Sequence, residues 1–395
     1  MDFPNYYVYS NFDFSQKSAG ATRMLYYAKA LANKNQAVFL VSCCKTNFNL
    51  NDFEEVEPNI FVLKNKKLTT SLLFNIIFLQ RLFKFSKKHK RQNRFIFYPS
   101  PLVYLEVLAL VYLKGIKQQQ VFCELNEIRL YSSSFHDPIT FARPLYSLKK
   151  IVYKIVFFLI QYLLYFYTGI ICISTSIEHY ARKYNSKTIR IPILTDPFLE
   201  LKPQNNSAYS KKGYFNVGFS GTIHPSKENL LNFIKTVDKL FKKGHKIVFN
   251  LCGHVYDKDF DLIFNNEEFQ LEINYYGNLN QNELSTFLLQ QNLLVIPRGY
   301  TLQNKFGFST KLSDYLNHKK VILLTDISDN SLYIKDGING YIVPPNDNKA
   351  MFEKIAYIIK NFKENEKSII ENAYTTSLEN FYFKIQSERL HKFLD

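Results

Sequence analysis

The segment from Phe306 to Val321, FGFSTKLSDYLNHKKV, has the residue types and spacing of an anion-binding turn. Glycine and small hydroxyl residues come immediately before a helical pattern, and a lysine and an aspartate lie in its first turn. Free N–H groups at the start of a helix bind phosphate, and a carboxylate one turn further in accepts hydrogen bonds from sugar hydroxyls. The pattern predicts a nucleotide-sugar site, although an ordinary loop with a Ser or Thr cap stays open. The predicted donor-binding residues are Gly307, Phe308, Ser309, Thr310, Lys311 and Asp314.

Other residues with suitable chemistry follow predicted strands. Gly221 and Thr222 end one strand, and Lys227 follows six residues after the glycine. Glycine allows a close backbone approach, and a lysine there is placed to neutralise phosphate; a surface lysine on the next helix is the alternative. Arg298 follows the strand LLVIP, where a guanidinium can grip a diphosphate. Further predicted donor-binding residues are Gly20 at the first helix and Gly277, Asn278 and Leu279 in a turn suited to a base.

Strand and helix patterns alternate along both halves of the chain, which predicts two doubly wound, Rossmann-like parallel sheets facing a cleft. The 395 residues suit two domains of ordinary size. A polar, turn-rich stretch at 201–214 reads as a linker. We therefore predict a first domain over 1–200 and a nucleotide-sugar domain over 215–375. A C-terminal helix over 376–395 is expected to pack back on the first domain.

Positive charge is concentrated in the first half of the chain. Residues 1–200 hold 26 Lys and Arg against 13 Asp and Glu, a net of +13, whereas the whole chain carries +16. The densest run follows an apolar helical pattern, which suits an anionic membrane surface. Nucleic acid or plain solvent are alternative partners of such a run, but no nucleic-acid-binding motif is evident. The predicted membrane-facing residues are Lys84, Lys87, Lys88, Lys90, Arg91 and Arg94.

Two further patterns bear on location. Residues 155–174 are twenty residues without a charge, long enough to cross a bilayer. Gln161, several tyrosines and a Thr-Gly break favour a helix that ends near Tyr167 and a buried strand after it. The five cysteines lack metal-ligand spacing and lie mostly in strand-like runs, so we expect buried free thiols in a reducing cytosol. The N-terminus lacks the pattern of a signal peptide.

Taken together, these motifs resemble glycosyltransferase family 4 and related GT-B enzymes, particularly those that build bacterial surface polysaccharides. The matching segments run in family order over most of the chain: the Gly20 turn, ICISTSIEHYARKY, VGFSGTIHPSKEN, LCG, YGNL, LLVIP, STKLSDYL and IKDGINGYIVPPND. The resemblance implies transfer of a sugar from a nucleoside diphosphate to a lipid-linked or polysaccharide acceptor. The basic first half separately predicts a peripheral location on the cytoplasmic face of the cell membrane.

The same resemblance suggests residue roles. Lys227 and Arg298 would stabilise the leaving diphosphate, and Asp314 would bind the ribose. Glu124 and Glu127 would face the sugar or the acceptor as further catalytic residues. The family implies retention of anomeric configuration with no metal and no cofactor beyond the sugar donor. The acidic residues at 257, 259 and 261 are accordingly expected to be solvated.

The chain departs from the family pattern at three places. Phe306 stands where many members have the first of two acidic residues eight positions apart, and Thr222 stands where many have an arginine. The stretch CELNE occupies the region in which many members carry a histidine. Two other functions stay open on these grounds: a sugar-nucleotide epimerase of the same fold, and an inactive nucleotide- or glycan-binding subunit.

Overall fold

A computed structural model describes residues 5–15, 19–33, 35–64, 68, 71–88, 93–99, 103–132, 144–198, 208–223, 228–255, 263–264 and 268–395. The chain forms two compact units. The first comprises residues 1–194 with 383–395, and the second comprises residues 195–382. Lys90, Arg91, Lys227 and the acidic residues at 257, 259 and 261 lie outside the described residues.

The first unit is built on an eight-stranded sheet in the order β3-β4-β2-β1-β5-β6-β7-β8. Its strands are β1 Asn5–Ser10, β2 Val38–Ser42, β3 Phe53–Glu57, β4 Ile60–Leu63, β5 Asn93–Phe97, β6 Gln120–Leu125, β7 Gly169–Cys172 and β8 Thr188–Arg190. Its helices are α1 Ala19–Leu31, a 3₁₀ turn Leu50–Asp52, α2 Leu72–Lys87, α3 Val103–Ala109, α4 Pro144–Ile160 and α5 Thr175–Ala181. A π-helix over Leu110–Ile116 extends α3, and a 3₁₀ helix over Gln161–Phe166 extends α4.

Aromatic side chains fill the centre of this sheet. Tyr7 stacks on Phe39 and Phe95, with ring centroids 5.1 and 5.4 Å apart. Both faces of the central strands are buried, so these strands read as continuous apolar runs in the sequence. The exception is β3, which pairs antiparallel with β4 at the edge of the sheet. Its sequence, FEEVE, is largely exposed, which is why an apolar pattern did not predict it.

The second unit is built on a six-stranded parallel sheet in the order β11-β10-β9-β12-β13-β14. Its strands are β9 Phe215–Ser220, β10 Ile247–Cys252, β11 Glu272–Tyr275, β12 Leu293–Ile296, β13 Val321–Thr325 and β14 Tyr341–Val343. Its helices are α6 Leu230–Lys242, α7 Gln281–Gln290, α8 Leu302–Phe306, α9 Thr310–Asn317, α10 Asn330–Tyr333 and α11 Asn348–Asn380. The prediction of two doubly wound α/β units is confirmed.

Helix α6 shows why the helices cover this sheet. Its buried apolar residues recur every three or four positions and belong to the same apolar core as the strands: Leu230, Phe233, Ile234, Val237 and Leu240. This spacing places them on one face of a helix. Because strands β9 to β13 are parallel, their carboxyl ends lie at one edge of the sheet, and the loops that follow them meet there.

The C-terminal segment contains two helices, because α11 ends at Asn380 and α12 spans Phe383–Leu394. The break lies at Phe381, whose ring is buried and whose carbonyl accepts a hydrogen bond from the Thr195 amide at 2.8 Å. Helix α12 packs against α1 within the first unit. The predicted helix over 376–395 therefore begins seven residues too early.

Two location-related predictions have outcomes in the described residues. The segment 155–174 is a helix, a 3₁₀ helix to Phe166 and the buried strand β7, as predicted. Among the described residues, no helix has both the length and the apolar character needed to cross a membrane. All five cysteines are buried free thiols, as expected.

Candidate functional site

Two glycines form the turns that follow β9 and β10. Gly221 has a φ of 129° and Gly253 a φ of 119°, values that side-chain-bearing residues rarely adopt. The Gly221 amide donates to the Cys252 carbonyl at 2.9 Å, and the Gly253 amide donates to the Gly277 carbonyl at 2.7 Å. A Cβ on Gly253 would lie only 2.2 Å from the Gly221 carbonyl oxygen. The loops after three neighbouring strands therefore pack backbone against backbone at this edge.

Helix α9 begins beside these turns. Tyr315 fixes its position, because the Tyr315 hydroxyl accepts a hydrogen bond from the Ser220 amide at 3.0 Å. Burial of Tyr315 raises the pKa of its phenol well above the ordinary value, so the group stays neutral. Sequence reasoning missed Tyr315, because its spacing marks only the apolar face of the helix.

The N-terminus of α9 has a polar side chain that does not cap the helix. Ser309 occupies the N-cap position but makes no side-chain capping bond. Its hydroxyl is buried and has no hydrogen-bond partner among the described residues. The first N–H groups of a helix have no intrahelical partner and carry positive partial charge. This end of α9 is therefore suited to an anion.

Two cations meet one carboxylate next to the same helix end. Lys311 Nζ lies 2.7 Å from Glu228 Oε1, and Arg298 Nη2 lies 3.3 Å from the same oxygen. The Arg298 and Glu228 side chains are buried, and that of Lys311 is largely so. The cluster of Glu228, Arg298 and Lys311 has a net charge of +1, so an anionic ligand improves its charge balance.

The backbone and side chains around the cluster hold both cations in place. The Lys311 ammonium lies 4.9 Å from the centroid of the Phe219 ring. A Cβ on Gly221 would lie 2.4 Å from Lys311 Cε, so the glycine makes room for the lysine. The Arg298 carbonyl accepts a hydrogen bond from the Thr325 hydroxyl at 2.7 Å. Within the described residues, Arg298 Nε has no hydrogen-bond partner.

Asp314 lies one turn inside α9 with its side chain exposed. Desolvation by the surrounding protein raises the pKa of its carboxyl to about 7, and the nearby Lys311 opposes that rise. Because the side chain also contacts solvent, water screens part of this effect. Asp314 is therefore accessible to a ligand and titrates closer to neutral pH than an ordinary aspartate.

The second unit carries a likeness to a known family. Residues 203–376 match the sequence profile of the family described as glycosyl transferases group 1. This segment is therefore similar to group 1 glycosyltransferases. Lys311, Asp314, Arg298 and both glycine turns lie within it.

Solved structures extend the likeness to both units. A sucrose-phosphate synthase from Thermosynechococcus elongatus is 13% identical, with a TM-score of 0.71 over 99% of each chain. A glycosyltransferase from Rickettsia africae is 15% identical, with a TM-score of 0.71 over 100% of this chain and 98% of its own. Anabaena HepE, solved with UDP and glucose, is 12% identical, with a TM-score of 0.68 over 98% of each chain. The chain therefore has the GT-B fold. No curated protein sequence matches it.

The remaining donor residues predicted in the second unit have different surroundings. Thr222 and Asn278 are exposed. Gly277 has a φ of 65° in the turn after β11, and Asn278 and Leu279 follow it directly. The Phe308 side chain is buried against Tyr333 and Phe381. The predicted donor contact of Phe308 therefore concerns its backbone amide, and it stays a prediction.

The sequence did not identify Glu228 as a site residue, although it identified the adjacent Lys227. Glu228 follows Lys227 directly, but its partners Arg298 and Lys311 lie 70 and 83 residues further along the chain. The one local signal was its place in the segment IHPSKEN, which the family resemblance already used. No spacing rule connects such distant residues.

Glu124 is enclosed in the first unit. Its side chain is 0% exposed, and Oε1 lies 2.6 Å from Arg23 Nη2. Burial raises the pKa of the Glu124 carboxyl, against the opposing charge of Arg23. Glu124 therefore does not contact a sugar directly, and its predicted catalytic role is wrong. The ion pair instead joins β6 to α1. Gly20, a predicted donor-binding residue, lies on the same helix, and a Cβ on Gly20 would lie 2.7 Å from the Tyr98 hydroxyl oxygen.

Glu127 and the basic run have mixed outcomes. Glu127 is partly exposed and accepts a hydrogen bond from the Ser132 hydroxyl, so it remains a candidate. Lys84, Lys87 and Lys88 are exposed at the C-terminal end of α2. Arg94 is only 6% exposed, and its Nε donates to the Leu394 carbonyl at 2.7 Å. The prediction that Arg94 faces a membrane is wrong, because it lies on the buried strand β5.

Proposed function

We propose that the protein transfers a sugar from a nucleoside diphosphate donor to a lipid-linked or polysaccharide acceptor. The observation that carries this proposal is the joint placement of Arg298, Lys311 and the start of α9 at one edge of the second sheet. A diphosphate needs several donors and cations within a few ångströms, and this edge offers both. The likeness of residues 203–376 to group 1 glycosyltransferases supports the same reading.

The donor is proposed to lie with its diphosphate near the Gly221 turn. Asp314 then accepts hydrogen bonds from the ribose hydroxyls, and the turn of Gly277, Asn278 and Leu279 borders the base. UDP-sugars are the first donors to test. Anabaena HepE was solved with UDP-glucose, and a trehalose-6-phosphate protein from Escherichia coli was solved with UDP-2-fluoro glucose.

In the proposed reaction, the bond between the anomeric carbon and the diphosphate oxygen breaks. A hydroxyl oxygen of the acceptor bonds to the anomeric carbon, and its proton passes to the departing diphosphate. Negative charge grows on the diphosphate while the sugar becomes oxocarbenium-like, so preorganised cations and N–H groups lower the barrier. We assign this stabilisation to Arg298, Lys311, the start of α9 and Lys227. Retention of configuration and independence from a metal ion are proposed from the family resemblance.

The proposed location is the cytoplasmic face of the cell membrane, where a lipid-linked acceptor is reached. The excess of basic residues in the first half supports it, because anionic lipids attract such charge. The exposed residues Lys84, Lys87 and Lys88 are proposed to contribute to this attraction.

The test is a transfer assay with radiolabelled sugar donors and membrane lipid extract as acceptor source. Formation of labelled lipid or polysaccharide supports the proposal. Conversion of the donor to an epimeric nucleotide sugar would instead identify an epimerase. Binding of a nucleotide sugar with neither transfer nor hydrolysis would identify an inactive binding subunit.

A further inference from the structure

Residues 151–166 include large apolar side chains that face solvent along one side of α4 and its 3₁₀ extension. We call these residues the outer face: Ile151, Val152, Ile155, Phe158, Leu159, Tyr162, Tyr165 and Phe166. At 100° per residue, those on α4 fall within an arc of about 120°. The opposite side packs into the unit through the buried Phe157, Ile160 and Leu164.

Exposed apolar residues are ordinary when they are scattered, but a continuous strip marks a contact surface. Each of the eight outer-face side chains is between 45% and 60% exposed. The strip runs from Ile151 to Phe166, and its members on α4 follow the helical repeat. We therefore interpret the outer face as a contact surface.

The sequence that contains the outer face carries basic but no acidic residues. No Asp or Glu occurs between Asp137 and Glu178. Lys154 is exposed on α4 at the border of the strip. At the far end, Lys114 Nζ donates to the Phe166 carbonyl at 2.5 Å, and the Tyr165 hydroxyl donates to the carbonyl of the exposed Lys183 at 3.2 Å. A cationic border around an apolar strip complements an anionic surface with an apolar interior.

Tyrosines gather at the same end of the strip. The Tyr162 and Tyr165 rings both contact Tyr184, with centroids 5.8 and 5.4 Å apart. Tyrosine has an apolar ring and a polar hydroxyl, so it is enriched where hydrocarbon meets the polar head groups of a membrane. This composition favours a bilayer over the apolar patch of a protein partner.

We propose that the outer face docks on an anionic lipid bilayer, with α4 lying in the plane of the interface. The inference rests on the proposed lipid-linked acceptor, which the enzyme must reach at a membrane. A spanning arrangement does not fit, because α4 ends at Ile160 and its inner side is packed within the unit. An in-plane helix inserts one apolar side and keeps the other in contact with protein.

The basic end of α2 lacks these features. Its exposed large apolar residues, Leu72 and Leu73, lie at the other end of the helix from Lys87. Fourteen residues of helix separate Leu73 from Lys87, a distance of about 20 Å. Lys84, Lys87 and Lys88 therefore supply electrostatic attraction, whereas the outer face supplies insertion.

The absence of tryptophan from the sequence makes the first experiment direct. Phe158→Trp places a single fluorophore on the outer face, and Ile385→Trp places one on α12, where Ile385 is 52% exposed. Phosphatidylcholine–phosphatidylglycerol vesicles are added to each full-length variant without any sugar donor. We expect a blue shift and quenching by brominated lipid for Phe158→Trp only. No change at position 158, or equal changes at both positions, would overturn the proposal.

A second pair of variants measures the contribution of insertion. Ile155→Asp removes an outer-face residue that is 53% exposed, and Ile385→Asp is a matched change elsewhere in the same unit. In co-sedimentation with the same vesicles, we expect Ile155→Asp to weaken binding at least tenfold and Ile385→Asp to leave it unchanged. Circular dichroism and thermal unfolding confirm that both variants fold.

Three results would overturn the proposal: equal binding by both variants, equal binding to pure phosphatidylcholine, or no vesicle binding by the unmodified protein. Self-association that Ile155→Asp abolishes, without vesicle binding, would assign the outer face to a second copy of the chain instead. Because no donor is present, loss of docking is distinguished from loss of sugar transfer. An inactive protein that still docks contradicts only the proposed reaction.

Discussion

The carboxylate of Glu228 and the ammonium of Lys311 lie 2.7 Å apart, and the same carboxylate oxygen is 3.3 Å from the Arg298 guanidinium. One acid therefore positions two cations, of which Lys311 lies on α9 and Arg298 on the loop after β12. The two cations outnumber the acid that they share, and the Asp314 carboxyl also lies within electrostatic reach of Lys311. In the proposed function, Glu228 positions the two cations, and Arg298 and Lys311 contact the diphosphate.

Glu228→Gln is expected to destabilise the protein. The change removes the carboxylate that the buried Arg298 and the largely buried Lys311 share, and breaking such a pair costs about 3–5 kcal/mol. Denaturant unfolding of the two proteins measures the difference. Glu353→Gln is the control, because Glu353 is exposed and its pair with Lys349 spans 3.9 Å. Surface pairs contribute about 0–1 kcal/mol. Equal stability of the two variants would show that the cluster does not depend on Glu228.

Gly221→Ala is expected to weaken donor binding at least tenfold. A Cβ there lies 2.4 Å from Lys311 Cε, so the lysine must move away from Glu228. Gly244→Ala is the matched control, since Gly244 also has a positive φ, of 93°, but has nothing within 4 Å of the new Cβ. Both changes impose backbone strain of about 1–3 kcal/mol. Calorimetric titration with UDP-glucose separates the two effects, and equal affinity of the two variants would contradict the role given to Lys311.

Asp314 is expected to make donor binding depend on pH. Its pKa is raised to about 7, and the charged carboxylate accepts hydrogen bonds from ribose better than the neutral acid does. Affinity should therefore rise as pH increases through the transition and fall as pH drops below it. Since solvent screens the shift, the midpoint should lie at or below pH 7.

The measurement is titration with UDP-glucose between pH 5 and 8, because its diphosphate lacks the terminal phosphate ionisation of UDP. Asp314→Asn should bind more weakly above the transition and lose the pH dependence. A variant that keeps the full pH profile would assign the titration to another group. Unchanged affinity at pH 8 would make Asp314 structural.

Lys227→Ala is expected to lower kcat/KM at least tenfold, about 1.4 kcal/mol of transition-state stabilisation. The prediction comes from the spacing of Lys227 after Gly221 and from its place directly before Glu228. Initial rates at subsaturating donor measure it, with Lys349→Ala as an exposed-lysine control. Wild-type turnover by Lys227→Ala would show that Lys227 does not stabilise the leaving diphosphate.

The sequence predicted the fold more completely than the site. Continuous apolar strands and amphipathic helices such as α6 leave periodic patterns, so the alternation of both units was readable. The start of α9 was also readable, because its glycine, hydroxyl and lysine residues are adjacent. The edge strand β3 was missed because it carries exposed glutamates.

Charged residues were the main source of error, since a charge does not reveal its partner. Glu124 was predicted to be a catalytic residue, but it is buried against Arg23, which lies 101 residues away in the sequence. Arg94 read as part of a surface cluster but binds the Leu394 carbonyl, 300 residues away. Such pairings arise only when the sheet and the C-terminal helix bring distant segments together.

The most direct test of the central claim is calorimetric titration of UDP-glucose into the full-length protein and its Lys311→Met variant. Related donors, such as GDP-mannose, follow if UDP-glucose does not bind. Lys349→Met is the control, because Lys349 is highly exposed on α11. The account predicts that one nucleotide sugar binds the unmodified protein and Lys349→Met equally, and Lys311→Met at least tenfold more weakly. Binding that is indifferent to Lys311→Met, or no binding of any nucleotide sugar, would contradict it.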